Sequence, residues 1–186
     1  MIIRISDIPV EGRDLAFDLN ESALNERAQA AQHHGTKDKP AVDEPAYYFQ
    51  PKPRAALHLD LEGSQVFLSG QIEASYRTSC SRCAEETTKS LSLPISMVLK
   101  PHAPGRRALD EDEDVSLSYY EGDEIDCGVI VEEHIILALP YTVLCSEECK
   151  GLCPQCGVNL NTATCSCKQP EFRDERFKVL ERLKIQ

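Results

Sequence analysis

Six of the chain's nine cysteines fall within the run Cys145-Ser-Glu-Glu-Cys149-Lys-Gly-Leu-Cys153-Pro-Gln-Cys156-Gly-Val-Asn-Leu-Asn-Thr-Ala-Thr-Cys165-Ser-Cys167. Thiols at this density point to a metal ion, whose bonds hold a short polypeptide in shape. At the centre, Cys153-Pro154-Gln155-Cys156-Gly157 has the form of a zinc knuckle, a tight turn that aims two thiolates and several backbone N–H groups at one ion. Glycine after the second cysteine lets that turn close without a Cβ clash.

Upstream, Cys80-Ser81-Arg82-Cys83 supplies another C-x-x-C pair, so eight cysteines are clustered and Cys127 stands apart. Eight thiols suffice for two Cys₄ sites. The preferred partition puts Cys80, Cys83, Cys145 and Cys149 on one ion and Cys153, Cys156, Cys165 and Cys167 on the other. A single site built from Cys149, Cys153, Cys156 and one of Cys165 or Cys167 is the competing arrangement, and spacing alone leaves both open. The expected cofactor is structural Zn²⁺, as one ion or two.

Composition sets the surroundings of these sites. At 186 residues the chain can bury a real core. It has no apolar run near eighteen residues, and its start, Met1-Ile-Ile-Arg-Ile-Ser-Asp-Ile-Pro, lacks the pattern of a signal peptide. The expectation is a soluble cytoplasmic protein with no membrane contact, in a reducing compartment where paired cysteines favour metal over disulfides. Net charge is −11, and two Cys₄ zinc sites would add roughly four more negative charges. A chain this acidic is a poor non-specific nucleic-acid binder, so any RNA contact must be local or made through a protein partner.

The pattern along the chain predicts an α+β fold: an antiparallel β meander or partial barrel packed with a buried helix, plus a small C-terminal zinc-ribbon-like module. Three segments are expected. Residues 1–50 carry a hairpin, in which Ile3 and Ile5 face Leu15, Phe17 and Leu19 across a turn at Glu11–Asp14. They also carry a short helix at Glu21–Gln32 and a polar loop at His33–Ala46, whose His33-His34 pair is read as solvated. Residues 51–144 hold the meander, with period-two alternation from Leu57 to Leu99 and the Cys80–Cys83 knuckle where one long strand turns back into the next. Asp110–Asp126 reads as a solvated acidic loop with an edge strand. Asp126 then caps a helix over Cys127–Leu139 that is apolar on most of its surface, ended by Pro140. Residues 145–186 form the cysteine-rich module and a helix over Asp174–Lys184. From Cys145 to Gln186 seven Lys or Arg stand against six Asp or Glu, a near-neutral tail on an acidic chain.

Catalysis has little to stand on. Glu132-Glu133-His134 is the compact acid–histidine cluster, but it lacks the H-E-x-x-H order, and His134 is read as satisfied by a hydrogen bond. There is no Gly-rich phosphate loop and no G-x-S-x-G elbow. Thiol redox chemistry is the better enzymatic rival, since Cys80-Ser-Arg-Cys83 has thioredoxin-type spacing. That motif normally opens a helix, whereas here both flanks alternate as strands.

Four ordered motifs carry a resemblance. They are Cys80-Ser-Arg-Cys83; Ile125-Asp-Cys-Gly-Val-Ile-Val-Glu-Glu-His-Ile-Ile-Leu-Ala-Leu-Pro140; Cys149-Lys-Gly-Leu-Cys-Pro-Gln-Cys-Gly-Val-Asn-Leu-Asn161 with Cys165-Ser-Cys167; and Phe172-Arg-Asp-Glu-Arg-Phe-Lys-Val-Leu-Glu-Arg-Leu183. In this order, over roughly residues 50 to 184, the chain resembles the YceD family. The resemblance implies a non-enzymatic bacterial factor, with plastid relatives, needed for accumulation of 23S ribosomal RNA and so for large-subunit biogenesis. Its expected partner is a ribosomal large-subunit precursor, through RNA or a ribosomal protein, with no small-molecule substrate. If RNA is touched, the residues to test are Arg82, Lys150, Lys168, Arg173, Arg176 and Lys178; aromatic platforms are scarce, with Tyr47-Tyr48-Phe49 the one cluster. The alternatives are a zinc-ribbon protein-interaction adaptor outside ribosome assembly and a thiol oxidoreductase.

Overall fold

The computed structural model describes residues 1–32, 47–102 and 117–167. The expected His33–Ala46 loop with His33-His34, residues 110–116 of the acidic stretch, the helix over Asp174–Lys184, and Lys168, Arg173, Arg176 and Lys178 lie outside the described residues.

The described part is mostly β, in two open sheets with two helices. Its strands are β1 (Ile2–Arg4), β2 (Arg13–Asp18), β3 (Tyr48–Phe49), β4 (Arg54–Glu62), β5 (Gln65–Ser79), β6 (Glu86–Pro101), β7 (Leu117–Tyr120) and β8 (Glu124–Asp126). The larger sheet runs β2-β4-β5-β6-β7, with β3 added beside β5; β1 and β8 form a separate pair. The helices are α1 (Glu21–Gln32) and α2 (Cys127–Ala138).

The alternation seen in the sequence places one apolar face inward. Leu57, Leu59, Val66, Leu68, Ile72, Ile95 and Leu99 are all buried, while Ser69, Gln71, Glu73, Ser90, Ser92 and Ser96 on the other face are exposed. The long β5–β6 hairpin keeps unbroken register from Val66↔Leu99 to Ser79↔Glu86. Pro94 lies in the part of β6 beyond the reach of β7, which pairs only with Val98–Pro101, so its missing N–H falls on an open edge. Gly70 sits where β4 crosses close: a Cβ there would lie 2.2 Å from the Ala56 carbonyl oxygen and 2.9 Å from Leu57 Cα.

Three expectations are corrected. First, β1 and β2 do not form a hairpin: β1 pairs with β8 (Ile3↔Ile125), Ile5–Asp7 winds into a 3₁₀ turn, and β2 pairs with β4 (Leu15↔Leu57). Pro9, which has no donor, interrupts any ladder, and the turn at Gly12 (φ +83°) redirects the chain toward β4. Second, the sheet does not curl into a partial barrel: β2 and β7 are its separate edges. It is also not purely antiparallel, because β7 joins β6 in parallel, an arrangement that needs a crossover of a dozen or more residues. Third, α2 is buried along one side rather than throughout, with Glu133 and Leu137 exposed. Cys127, Gly128, Val131 and Ile135 are buried, yet Leu137 is 85% exposed.

Local signals account for the helix limits. Asn20 Oδ1 accepts from the amides of Ser22 (3.1 Å) and Ala23 (3.4 Å), opening α1, whose Leu24 and Ala28 are buried. Asp126 Oδ1 accepts from the amides of Gly128 (2.9 Å) and Val129 (3.2 Å), and α2 stops at Leu139, where the backbone turns extended before Pro140. Arg27 on α1 pairs with Glu132 on α2 at 2.9 Å, and His134 Nε2 lies 3.2 Å from the Pro94 carbonyl, so the acid–histidine cluster is engaged in packing. The Tyr47–Phe49 aromatics are engaged too. Phe49 is fully buried, Tyr47 meets the Tyr76 ring edge-on, and the Arg77 guanidinium lies 4.9 Å over the ring of Tyr48.

On the outer face, His58 lies between two carboxylates, with Nδ1 2.7 Å from Asp14 and Nε2 3.2 Å from Asp60. The hydrogen bond to Asp14, helped by Asp60, raises its pKa above the ordinary 6.5. The folded chain therefore holds this proton more tightly than the unfolded chain. The stabilisation is fully present below about pH 6.5 and is lost as pH rises through the folded-state value. An NMR titration should show a midpoint above 6.5 that falls toward it in Asp14→Asn; an unshifted midpoint in the wild type would contradict the pairing.

Candidate metal centre

The hairpin tip at residues 80–85 begins where β5 ends and turns through a knuckle. The Cys80 amide donates to the Glu85 carbonyl (2.8 Å), and the Ala84 amide to the Cys80 carbonyl (2.9 Å). The same two bonds recur in the later knuckle: Cys153 N–H to the Val158 carbonyl (2.8 Å) and Gly157 N–H to the Cys153 carbonyl (2.9 Å). The residue after the second cysteine takes a left-handed backbone in both, at φ +59° for Ala84 and +71° for Gly157. Only the second has the residue that conformation favours. Ala84→Gly should therefore stabilise the protein and Gly157→Ala destabilise it, each by about 1 kcal/mol. Thermal or denaturant unfolding of the two variants checks the opposite signs.

Cys145 and Cys149 reach the first knuckle through long-range pairing. Ser81 exchanges two bonds with Val143: its amide donates to the Val143 carbonyl (2.7 Å), and its Oγ accepts from the Val143 amide (3.1 Å). This sets Cys145 Sγ 3.6 Å from Cys83 Sγ. Arg82 reaches across to donate from Nη1 to the Cys149 carbonyl (2.9 Å), and its own carbonyl accepts the Leu152 amide (3.0 Å). Cys149 Sγ comes to 3.8 Å from Cys80 Sγ. Gly151 (φ +75°) passes so close that a Cβ would lie 3.0 Å from the Arg82 carbonyl oxygen.

The eight clustered thiols thus gather as two sets, Cys80, Cys83, Cys145 and Cys149, and Cys153, Cys156, Cys165 and Cys167, with the sulfurs of each set within 4.8 Å of one another. A tetrahedral ion with Zn–S bonds of about 2.3 Å holds its sulfurs about 3.8 Å apart, which is the spacing observed between Cys80 and Cys149. The alternative single site mixing Cys149 with the second knuckle is not what the fold brings together. Cys127 is fully buried at the start of α2, outside both sets, and burial raises its pKa.

Their electrostatics fit a cation. In the first set, the Cys83 amide, with those of Arg82 and Cys145, lowers Cys80 to about 6. At Cys83 the Glu85 amide works downward, but burial and the neighbouring thiols prevail and push it up to about 12. In the second set, the amides of Cys156 and Gln155 lower Cys153 to about 6, while the Cys156 and Cys153 sulfurs raise Cys167 to about 12. In each set backbone donors lower one thiol strongly, while burial and the neighbouring sulfurs push another up. A divalent ion is what allows all four to ionise. The sets differ in access: Cys80, Cys83 and Cys149 are buried and Cys145 half-buried, whereas in the second set only Cys153 is buried, Cys165 and Cys167 are half-buried and Cys156 is exposed.

The supporting residues were not visible in the sequence. Asn161 Nδ2 donates to Cys149 Sγ (3.3 Å), and hydrogen bonding from it is the main cause that lowers the Cys149 thiol. Asn159 donates to Glu85 Oε1 (3.1 Å). The run Gly157-Val-Asn-Leu-Asn161 marks the segment but carries no spacing rule that points to sulfurs of the other set. Of the basic residues singled out, Arg82 is tied to the Cys149 carbonyl, and Lys150 is exposed beside the second set.

Comparisons with known proteins bear on residues beyond the cysteines. The family model described as "Large ribosomal RNA subunit accumulation protein YceD" matches residues 68–184. The chain is 27% identical over 147 residues to the chloroplastic large ribosomal RNA subunit accumulation protein YCED homolog 1 of Zea mays, covering 64% of this chain and 50% of the relative. The Arabidopsis thaliana protein of the same name is 24% identical over 148 residues, covering 64% and 44%. A Mycobacterium tuberculosis protein named only as uncharacterized is 30% identical over 132 residues, covering 66% and 58%. The chain thus spans about half the length of the curated relatives it matches. No solved structure gives a significant match.

Proposed function

The chain belongs to the YceD family, and from that premise we propose that it is a non-enzymatic factor for 23S ribosomal RNA accumulation, acting in large-subunit biogenesis as a zinc-stapled binding module. The observation that carries the reading is the family match over residues 68–184, which takes in both sets of cysteines. The names of the plant relatives support the same process. Zinc is the metal favoured by all-thiolate tetrahedral sites, and a closed Cys₄ site has no vacant position at which to activate water, so its role is to shape the polypeptide. The divisions 1–50, 51–144 and 145–186 remain part of the proposal, with the first ion fastening the third to the β5–β6 tip of the second.

The proposed partner is a large-subunit precursor, met in the cytoplasm through its RNA or a ribosomal protein. Among the described residues no helix is long and apolar enough to cross a membrane. The split between Cys80 and Cys83 would also suit a redox pair. Against that, each lies in a group of four sulfurs at metal-site spacing, on a strand-flanked tip rather than at a helix N-terminus.

The test is depletion of the protein in its host, followed by the ratio of mature large- to small-subunit ribosomal RNA with precursor ends mapped. A selective fall in the large-subunit RNA is expected. An unchanged ratio under verified depletion would overturn the assembly reading in favour of an adaptor serving another process.

A further inference from the structure

We propose that Asn161 couples the two thiolate groups, so that a metal ion in the second raises the affinity of the first. This rests on the reading of both groups as metal sites. Asn161 belongs by sequence to the second group, in the eight-residue segment between Cys156 and Cys165, which an ion bound to both cysteines closes into a loop. Its side chain, however, serves the first group. Nδ2 donates to Cys149 Sγ at 3.3 Å, while Oδ1 accepts from the Lys150 amide at 2.8 Å, so the amide group grips Cys149 and the residue after it.

The grip is itself held in place from within the second group's loop. Asn159 Oδ1 accepts from both the backbone amide and Nδ2 of Asn161, each at 2.9 Å, and the Leu160 amide donates to the Gly151 carbonyl at 2.9 Å. Donation of N–H to a ligating thiolate stabilises its charged form, and outer-shell donors of this kind alter metal affinity by roughly tenfold to hundredfold. An ion on Cys156 and Cys165 would fix the 157–164 segment and keep the donor aimed. With that ion gone, the segment is held only by hydrogen bonds such as Leu160 to Gly151 and Asn159 to Glu85, and the donor is aimed less firmly. By linkage, the first ion must favour the second by the same factor. Asn161 is thus a positioning residue, acting on the first ion through Cys149.

The experiment titrates the full chain with Zn²⁺ against competing chelators, and with Co²⁺ to follow the sulfur-to-metal charge-transfer band. It uses the wild type, Cys156→Ser/Cys167→Ser to empty the second group, Asn161→Asp, and the combination of all three changes. Asn161→Asp is nearly isosteric and keeps the oxygen that accepts from Lys150, but it replaces the donor facing sulfur with a repelling carboxylate oxygen.

Emptying the second group should weaken the first site at least tenfold. Asn161→Asp alone should weaken it at least as much and perturb its Co²⁺ charge-transfer band. In the emptied background Asn161→Asp should add much less. An Asn161→Asp chain whose first-site affinity and band match the wild type would overturn the coupling, as would a first site indifferent to emptying the second. A wild type that binds no metal would instead overturn the metal reading itself, and the coupling with it.

Discussion

Replacing Cys83 by serine should abolish metal binding at the first group, lower the metal content of the chain from two ions to one, and release the cysteine-rich segment from the β5–β6 tip. The substitution changes little in size but removes a ligand, so affinity should fall by more than the roughly hundredfold that outer-shell changes produce. Structural zinc contributes folding free energy directly, on the order of 10 kcal/mol or more in isolated zinc-finger peptides. Here the loss should stay local. The main core, from Ile3 and Leu24 through Leu59, Tyr76 and Ile135 to Val143, contains none of the eight clustered cysteines, whereas Cys80, Cys83 and Cys149 form a small cluster of their own. Hydrogen exchange should show the amides of Ser81, Ala84 and Leu152 losing protection, while the central strands keep theirs. Loss of protection throughout β4, β5 and β6 would mean that the metal holds the whole fold, contrary to this account.

Gly70→Ala should do the reverse, weakening the sheet while leaving both thiolate groups able to bind metal. The added methyl would meet backbone on the neighbouring strand, at 2.2 Å from the Ala56 carbonyl oxygen, and backbone cannot swing aside as a side chain can. Separating β4 from β5 would disturb a pairing that runs from Arg54↔Glu73 to Glu62↔Gln65. The cost should reach or exceed the roughly 3 kcal/mol at the upper end of ordinary overpacking. Urea unfolding of the variant measures it; a loss below about 1 kcal/mol would show that the strands part easily there.

The strands of the central sheet could be read from the chain before its structure, whereas the close approach at Gly70 could not. Period-two alternation identified β4, β5 and β6 because one face of each must be buried, and Asp126 announced α2 because a capping carboxylate is a local device. Partnership was harder. Ile3 could alternate with Ile5 for a hairpin or stand alone against Ile125, and the chain's own pattern is the same in either case. The exposed Leu137 and the parallel β7 were hidden for a similar reason, since neither coverage nor strand direction leaves a mark on spacing.

At the candidate site, C-x-x-C spacing marked the knuckles, but the grouping of sulfurs depended on long-range bonds. Ser81 with Val143 brings Cys145 to Cys83, and Arg82 with Cys149 brings the next sulfur to Cys80. Asn161 escaped notice because an asparagine in a polar turn is ordinary, and its sulfur partner belongs to the other group.

The claim on which the rest stands is that two ions occupy the eight clustered thiols. Native mass spectrometry of the full chain, purified without added metal or chelator, tests it directly. The account predicts a mass corresponding to two zinc ions with all eight ligand thiols deprotonated and no disulfides. A chain carrying one ion, or none with its thiols intact or joined as disulfides, would contradict it.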